Sequence, residues 1–241
     1  MVMALQSFGT DISAVVFGAS GGIGAAFVAA LRDDPAVVRL HTVSRHGETD
    51  HHCDYHNEQS IADVAEAIAA KGPVHLVIVA TGVLHGDGIA PEKTWKALDP
   101  SAMAEVFAVN TIAPTLIAKH MLPLLVKDRK TAFAALSARV GSISDNRLGG
   151  WLSYRSSKAA LNMAIKTLSI ELRRLNQGAL IVGLHPGTVE TELSRPFRGR
   201  VPEAKLFSSR DSAKKMLETL DFANVDHSGM LLSYNGNEIL P

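Results

Sequence analysis

Short β-branched apolar runs alternate with longer amphipathic stretches along all 241 residues, and this alternation restricts the fold more than any other feature of the chain. Such a succession is the pattern of βαβ units, in which each crossover helix returns the chain to a parallel sheet. Strands are predicted near 13–17, 37–43, 74–80, 131–136, 179–184 and 229–233, with a seventh, fainter one near 50–54. Helices are predicted near 22–32, 58–71, 100–127, 153–176 and 209–221, stopped by Asp33-Asp34-Pro35, Lys71-Gly72-Pro73 and Asn176-Gln177-Gly178. The expected architecture is one three-layer αβα domain over 1–241, built on a doubly wound, mostly parallel sheet of about seven strands. From Pro186 to Ser208 the rhythm breaks, with three prolines, two glycines and no sustained period. A loop of that length inside a compact domain is expected to act as a lid over a substrate.

Charge and composition narrow the partners. The 24 basic residues balance 24 acidic ones, so no basic stripe points to nucleic acid. No run of eighteen apolar residues occurs, and Met1 to Thr10 lacks the pattern of a secretory leader. The expectation is a cytoplasmic protein without membrane or nucleic-acid partners, and the single Cys53 fits a reducing compartment.

The segment Gly18-Ala19-Ser20-Gly21-Gly22-Ile23-Gly24 joins the first predicted strand to the first helix. In that position Gly18 permits a tight turn, Gly22 lets backbone approach a phosphate, and Gly24 lets helix pack on strand, while the helix N-terminus offers free N–H groups to a pyrophosphate. Tyr154 and Lys158 stand four apart at the start of a later helix and therefore share a face. An ammonium beside a phenol favours phenolate, which lowers the tyrosine pKa and suits it to exchange a proton with a carbonyl or alcohol oxygen. In the helix near 100–127, Pro114 has no N–H to give the carbonyl of Asn110, so a kink is expected there, with an acceptor freed for water.

Gly18-(x)3-Gly22-Ile23-Gly24, Asp54, Ala80-Thr81-Gly82, Asn110, Tyr154-Arg155-Ser156-Ser157-Lys158 and Pro186-Gly187-Thr188 resemble, in order and spacing, the motifs of the short-chain dehydrogenase/reductase family. The stretch Gly149-Gly150-Trp151-(x)2-Tyr154 through Asn162 further resembles the branch of sniffer-type carbonyl reductases and C-factor-like cell-signalling proteins. The resemblance implies a Rossmann-type fold binding a nicotinamide dinucleotide. Tyr154 would be the general acid, Lys158 would assist it and hold the nicotinamide ribose, and Asn110 would hold the water of a proton relay. Ser20, Gly21, Ile23, Ser44, Ala80, Thr81, Gly82, Val109 and Thr191 would line the cofactor cleft. Asp54 and Tyr55 would meet the adenine, and Pro186, Gly187, Thr188 and Val189 would cover the carboxamide side of the nicotinamide.

Two positions depart from the family pattern. Where the family ends a strand with two serines, this chain has Ser137-Ala138, so the usual catalytic hydroxyl is missing; Ser142, twelve before Tyr154, and Ser137 are the candidates to replace it, with Ser142 better spaced. Phe17 stands where the family often has threonine. At the end of the second strand Ser44-Arg45 offers a cation and no carboxylate, which favours the 2′-phosphate of NADP(H), with NAD(H) possible. His46, His51, His52, Cys53 and His56 resemble a metal cluster only superficially, because no second ligand pair accompanies them, and no metal is expected. His85, Leu148, Trp151 and Leu193 are candidate walls of a partly apolar substrate pocket. The predicted activity is hydride transfer between NADP(H) and a small carbonyl or alcohol, in a homodimer or homotetramer paired through the helices near 100–127 and 153–176. The alternative is an NAD(P)-binding signalling protein with little turnover.

Overall fold

A computed structural model describes residues 5–86, 88–200, 202 and 206–241. Its principal sheet has eight strands: β1 (Ile12–Phe17), β2 (Val37–Ser44), β3 (His51–His52), β4 (Leu76–Val79), β5 (Thr131–Leu136), β6 (Ala179–His185), β9 (Leu231–Ser233) and β10 (Glu238–Ile239), in the order β10-β9-β6-β5-β4-β1-β2-β3. All neighbours are parallel except β10, which returns antiparallel on β9. Two further short strands, β7 (Thr188–Val189) and β8 (Leu206–Phe207), pair with each other. They bound the segment expected to be an unstructured loop, which also holds a 3-10 turn over Arg195–Arg200; residues 201 and 203–205 of that expectation lie outside the described residues.

The central strands are apolar on both faces because both faces are covered. Val15 and Phe17 of β1 join the core under α2 (Glu58–Ala69), α4 (Ala113–Met121) and α5 (Leu152–Arg173), while Ala14 and Val16 join the core under α1 (Gly22–Arg32) and α6 (Ser209–Phe222). Val77 and Val79 of β4 and Phe133 and Ala135 of β5 repeat the first assignment, with Leu76, Ile78, Ala132 and Ala134 on the other side. Phe17, in place of the family's threonine, is thus a fully buried core residue.

Just before Pro114 the helical stretch 100–124 leaves regular α geometry. Between α3 (Pro100–Phe107) and α4 the chain winds as a π turn over Ala108–Ile112, and the Ala113 N–H reaches the Ala108 carbonyl. The wider turn absorbs the donor that proline lacks while the helix runs on. This stretch has the length and mean hydropathy, 1.3, of a membrane span, yet it packs against α5 and α2 and carries a fully buried polar Asn110.

Helix ends show where the site must be. Asn57, Asp99 and Ser208 cap α2, α3 and α6 with their side chains. Neither α1 nor α5 has a side-chain cap of its own, and both N-termini open at the carboxyl ends of the strands.

Candidate active site

The chain leaves β1 toward β2 on one side and β4 toward β5 on the other, so the crevice between the ends of β1 and β4 is the switch point of the sheet. Gly18, at φ +77°, starts the turn out of β1, and its N–H bonds to the Val43 carbonyl at 2.8 Å and the Tyr55 hydroxyl at 2.9 Å. A Cβ on Gly24 would lie 2.0 Å from the Gly18 carbonyl oxygen, which is the close helix-on-strand approach expected of it. One on Gly22 would lie 2.9 Å from Thr191 Cγ2, so this glycine seats the segment after β7 against α1.

Two cavities of about 470 and 140 Å³ open along this crevice and share Ser20, Gly21, Ala80, Thr81 and Gly82 as walls, so they form one trough. The smaller is closed by Ser44, Arg45, His46, Tyr55 and Val109. Gly22, Ile23, Tyr154, Lys158, Pro186 and Thr191 are among the walls of the larger. A dinucleotide fits this trough on two observations. The α1 N-terminus, uncapped and without an acidic residue in its first turn, points free N–H groups into it. The Thr81 hydroxyl, buried in its wall, has no hydrogen-bond partner among the described residues. Arg45, exposed with its guanidinium 6.0 Å from the Tyr55 ring centre, stands at the smaller end.

Tyr154 and Lys158 come together on the wall of the larger cavity. The Lys158 ammonium lies 5.9 Å from the tyrosine ring centre and donates to the Leu136 carbonyl at 2.8 Å. Lowering of the tyrosine pKa by this lysine was the expectation, and burial overrides it: desolvation pushes the Tyr154 phenol up to about 12 and pulls the Lys158 ammonium, only 3% exposed, down to about 8. The tyrosine is therefore held as a neutral acid. Asn110 lies beside them, since a Cβ on Gly82 would be 3.5 Å from its Oδ1 and 3.8 Å from Lys158 Nζ. Its amide accepts from the Val83 N–H at 2.8 Å and donates to the Val83 carbonyl at 2.9 Å, which fixes the strand exit after β4.

Several expected roles need correction. Ser142 does not reach the cavity: its hydroxyl donates to the Leu240 carbonyl and accepts from the Asp145 N–H at 3.2 Å, tying down the C-terminal residues. Ser137 does line the cavity, with its hydroxyl donating to Asn162 Oδ1 at 2.6 Å. Asp54 is not a wall of the trough; it sits exposed and accepts from the His56 N–H at 3.0 Å, although Tyr55 beside it is a wall. Of the turn after β6 only Pro186 lines the cavity. Gly187, at φ +78°, packs against Phe207 and Tyr234, and Thr188 and Val189 pair with β8. Leu148 is 92% exposed and walls nothing. The histidines go separate ways: His56 pairs with Glu105, His51 faces His41, and buried Cys53 joins the core.

The remaining pocket candidates converge. His85 Nε2 lies 3.1 Å from the carbonyls of Glu192 and Leu193, and Leu193 lines the cavity. Phe197 packs edge-on against both His85 and Trp151, at 5.7 and 4.8 Å between ring centres, and Trp151 stands 6.3 Å from Tyr154. An aromatic row thus runs from the tyrosine to the segment over the cavity. Phe197 and Glu192 escaped sequence reasoning because nothing local marks them.

Residues 13–201 match the family described as short chain dehydrogenase. The C-signal of Myxococcus xanthus is 37% identical over 171 residues, which are 70% of this chain and 93% of that one. A 1-hydroxy-2-glutathionyl-2-methyl-3-butene dehydrogenase of Rhodococcus sp. strain AD45 is 28% identical over 183 residues, 76% of each chain. Among solved structures, an NADPH-bound carbonyl reductase from chicken fatty liver superposes with a TM-score of 0.81 at 27% identity, over 96% of this chain and all of that one. Carbonyl reductase Sniffer of D. melanogaster, at 23% identity, 96% and 100% coverage and a TM-score of 0.82, shares the fold. With the glycine turn, the crevice and the Tyr154–Lys158 pair in one trough, and with more than half the chain matched, this protein belongs to the short-chain dehydrogenase family.

Proposed function

We propose that the protein is an NADP(H)-dependent carbonyl reductase that interconverts a small carbonyl compound and its alcohol. The observation that carries this reading is the single trough with Arg45 at one end and, at the other, partly exposed Tyr154 with buried Lys158, the two ends needed to select the cofactor and to move a proton. The α1 N-terminus and Arg45 would hold the phosphates, and Thr81 has a hydroxyl to spare for the same ligand. When bound, the reduced nicotinamide supplies the hydride that reaches the carbonyl carbon. Tyr154, protonated through the neutral range because burial raises its pKa, gives its phenolic proton to the carbonyl oxygen, so that an alcohol forms. Lys158 steadies the phenolate left behind and passes on a proton from the side where Asn110 lies. Lids of this kind exclude water, and the segment through Leu193 and Phe197 is placed to do so. Pairing of copies through the helical stretch 100–124 and α5 belongs to the same proposal, supported by exposed Ile112, Met163 and Ile170, and sedimentation velocity reads it directly.

A second reading, a nucleotide-binding signalling protein with little turnover, is favoured by the identity to C-signal and by Ala138 in the usual serine position. NADPH consumption with a panel of aldehydes and ketones separates the two. Tyr154→Phe should cut the rate to less than about a tenth while leaving NADPH binding intact, because general acid catalysis contributes about 10²–10⁴-fold. A variant above that level would reject Tyr154 as the acid.

A further inference from the structure

The α5 N-terminus carries both Tyr154 and Trp151, yet it lacks a cap from its own sequence. The missing partner comes from a loop 61 residues earlier. Glu92, 8% exposed, accepts from the Ser153 N–H with both carboxylate oxygens, at 3.4 and 3.3 Å, and from the Ser153 hydroxyl. Its main-chain carbonyl accepts the Trp151 N–H at 2.5 Å. Trp151 has φ +52°, a left-handed conformation unusual for so bulky a side chain, and it persists only where surrounding contacts impose it. From the other side Arg155 Nε donates to the Gly150 carbonyl at 2.9 Å, so the approach to the helix is held at both edges. Glu92 and Tyr154 share the walls of one small cavity.

We infer that Glu92 is a positioning residue for the reaction: by capping α5 from outside and holding Trp151 in its left-handed turn, it sets where the Tyr154 hydroxyl and the Trp151 ring meet the substrate. A buried carboxylate costs desolvation unless it is hydrogen-bonded, and here every bond it makes goes to the first turn of the helix that carries the proton donor. The walls of the cofactor trough include Tyr154 and Lys158 of α5 but not Glu92 itself. Glu92 therefore reaches the trough only through the first turn of α5, next to the proton donor. This inference rests on the carbonyl-reductase reading for its kinetic arm but not for its spectroscopic one.

The test uses the full chain with Trp95→Phe, which removes the exposed second tryptophan and leaves Trp151 as the sole reporter. In that background Glu92→Ala, which keeps the main-chain bond to Trp151 but loses the cap on Ser153, should reduce the Trp151 near-ultraviolet dichroism and lower kcat by about 10- to 100-fold, the scale of a misplacement near 1 Å, with NADPH affinity retained. Glu92→Gln, which keeps an oxygen acceptor for Ser153, should restore both signals. Should Glu92→Ala not fold, Ser153→Ala carries the same expectations in weaker form. An unchanged Trp151 signal and kcat in Glu92→Ala would overturn the inference, as would a loss of NADPH affinity parallel to that of kcat, or failure of Glu92→Gln to restore the signal. If the parent protein shows no turnover, the reductase reading fails, while the dichroism still decides whether Glu92 holds the helix entry.

Discussion

Lys158→Met isolates what the site costs the fold. An ordinary lysine titrates near 10.5, and burial draws Lys158 to about 8. The gap corresponds to about 3 kcal/mol of destabilisation while the ammonium is charged in both states, at ~1.4 kcal/mol per tenfold. Methionine fills nearly the same volume without a charge, but it gives up the bond to the Leu136 carbonyl, a loss of about 1 kcal/mol. The variant should therefore be about 2 kcal/mol more stable than the parent at pH 7. The sign follows from proton counting. Between 8 and 10.5 the unfolded chain holds a proton on Lys158 that the folded chain has released, so the parent gains stability as pH rises through that window. The advantage of methionine shrinks accordingly and changes sign near about pH 10; above the lysine's ordinary value only the lost hydrogen bond remains. Lys130, also drawn to about 8 by burial, is present in both proteins and cancels from the difference. Tyr154, raised to about 12, stays a phenol in both folded proteins over this range. Urea unfolding at pH 7, 8.5 and 10 measures the difference. A gap between variant and parent that does not change with pH would refute the reasoning, because the penalty would then not arise from desolvation of a charge.

Two further outcomes follow from the corrected site. Arg45→Asp should reverse a preference for NADPH over NADH, since a guanidinium pairs with the 2′-phosphate and a carboxylate repels it; tighter NADH binding by the parent protein, read by fluorescence titration, would reject the assignment. Ser137→Ala should lower kcat by about tenfold if its hydroxyl turns from Asn162 to the substrate oxygen, whereas Ser142→Ala should lower stability by about 1 kcal/mol through its lost bond to Leu240 and leave kcat unchanged. A larger kinetic loss from Ser142→Ala would restore the spacing-based expectation.

What could be read from the sequence was local. The strands β1, β2, β5 and β6 fall within a residue of their expected bounds; β1, β5 and β6 do so because they are buried and apolar along almost their whole length, whereas β2 is legible from its β-branched valines and threonine. The glycine turn and the four-residue step from Tyr154 to Lys158 are fixed by backbone geometry over a few residues, so they too survive the passage to the fold. The two-residue strands β7, β8 and β10 give no period to detect, and they were missed. Only the tertiary structure decided the rest. Ser142 has the right distance along the chain from Tyr154, but its hydroxyl is committed to Leu240, 98 residues away. Glu92 reads as one more charge in a polar loop until the fold sets it under the first turn of α5. The lysine expected to lower the tyrosine pKa is itself stripped of water, and the phenol beside it is raised by the same burial. Spacing fixes which residues can share a face, whereas desolvation and hydrogen-bond commitment depend on what the rest of the chain brings against that face.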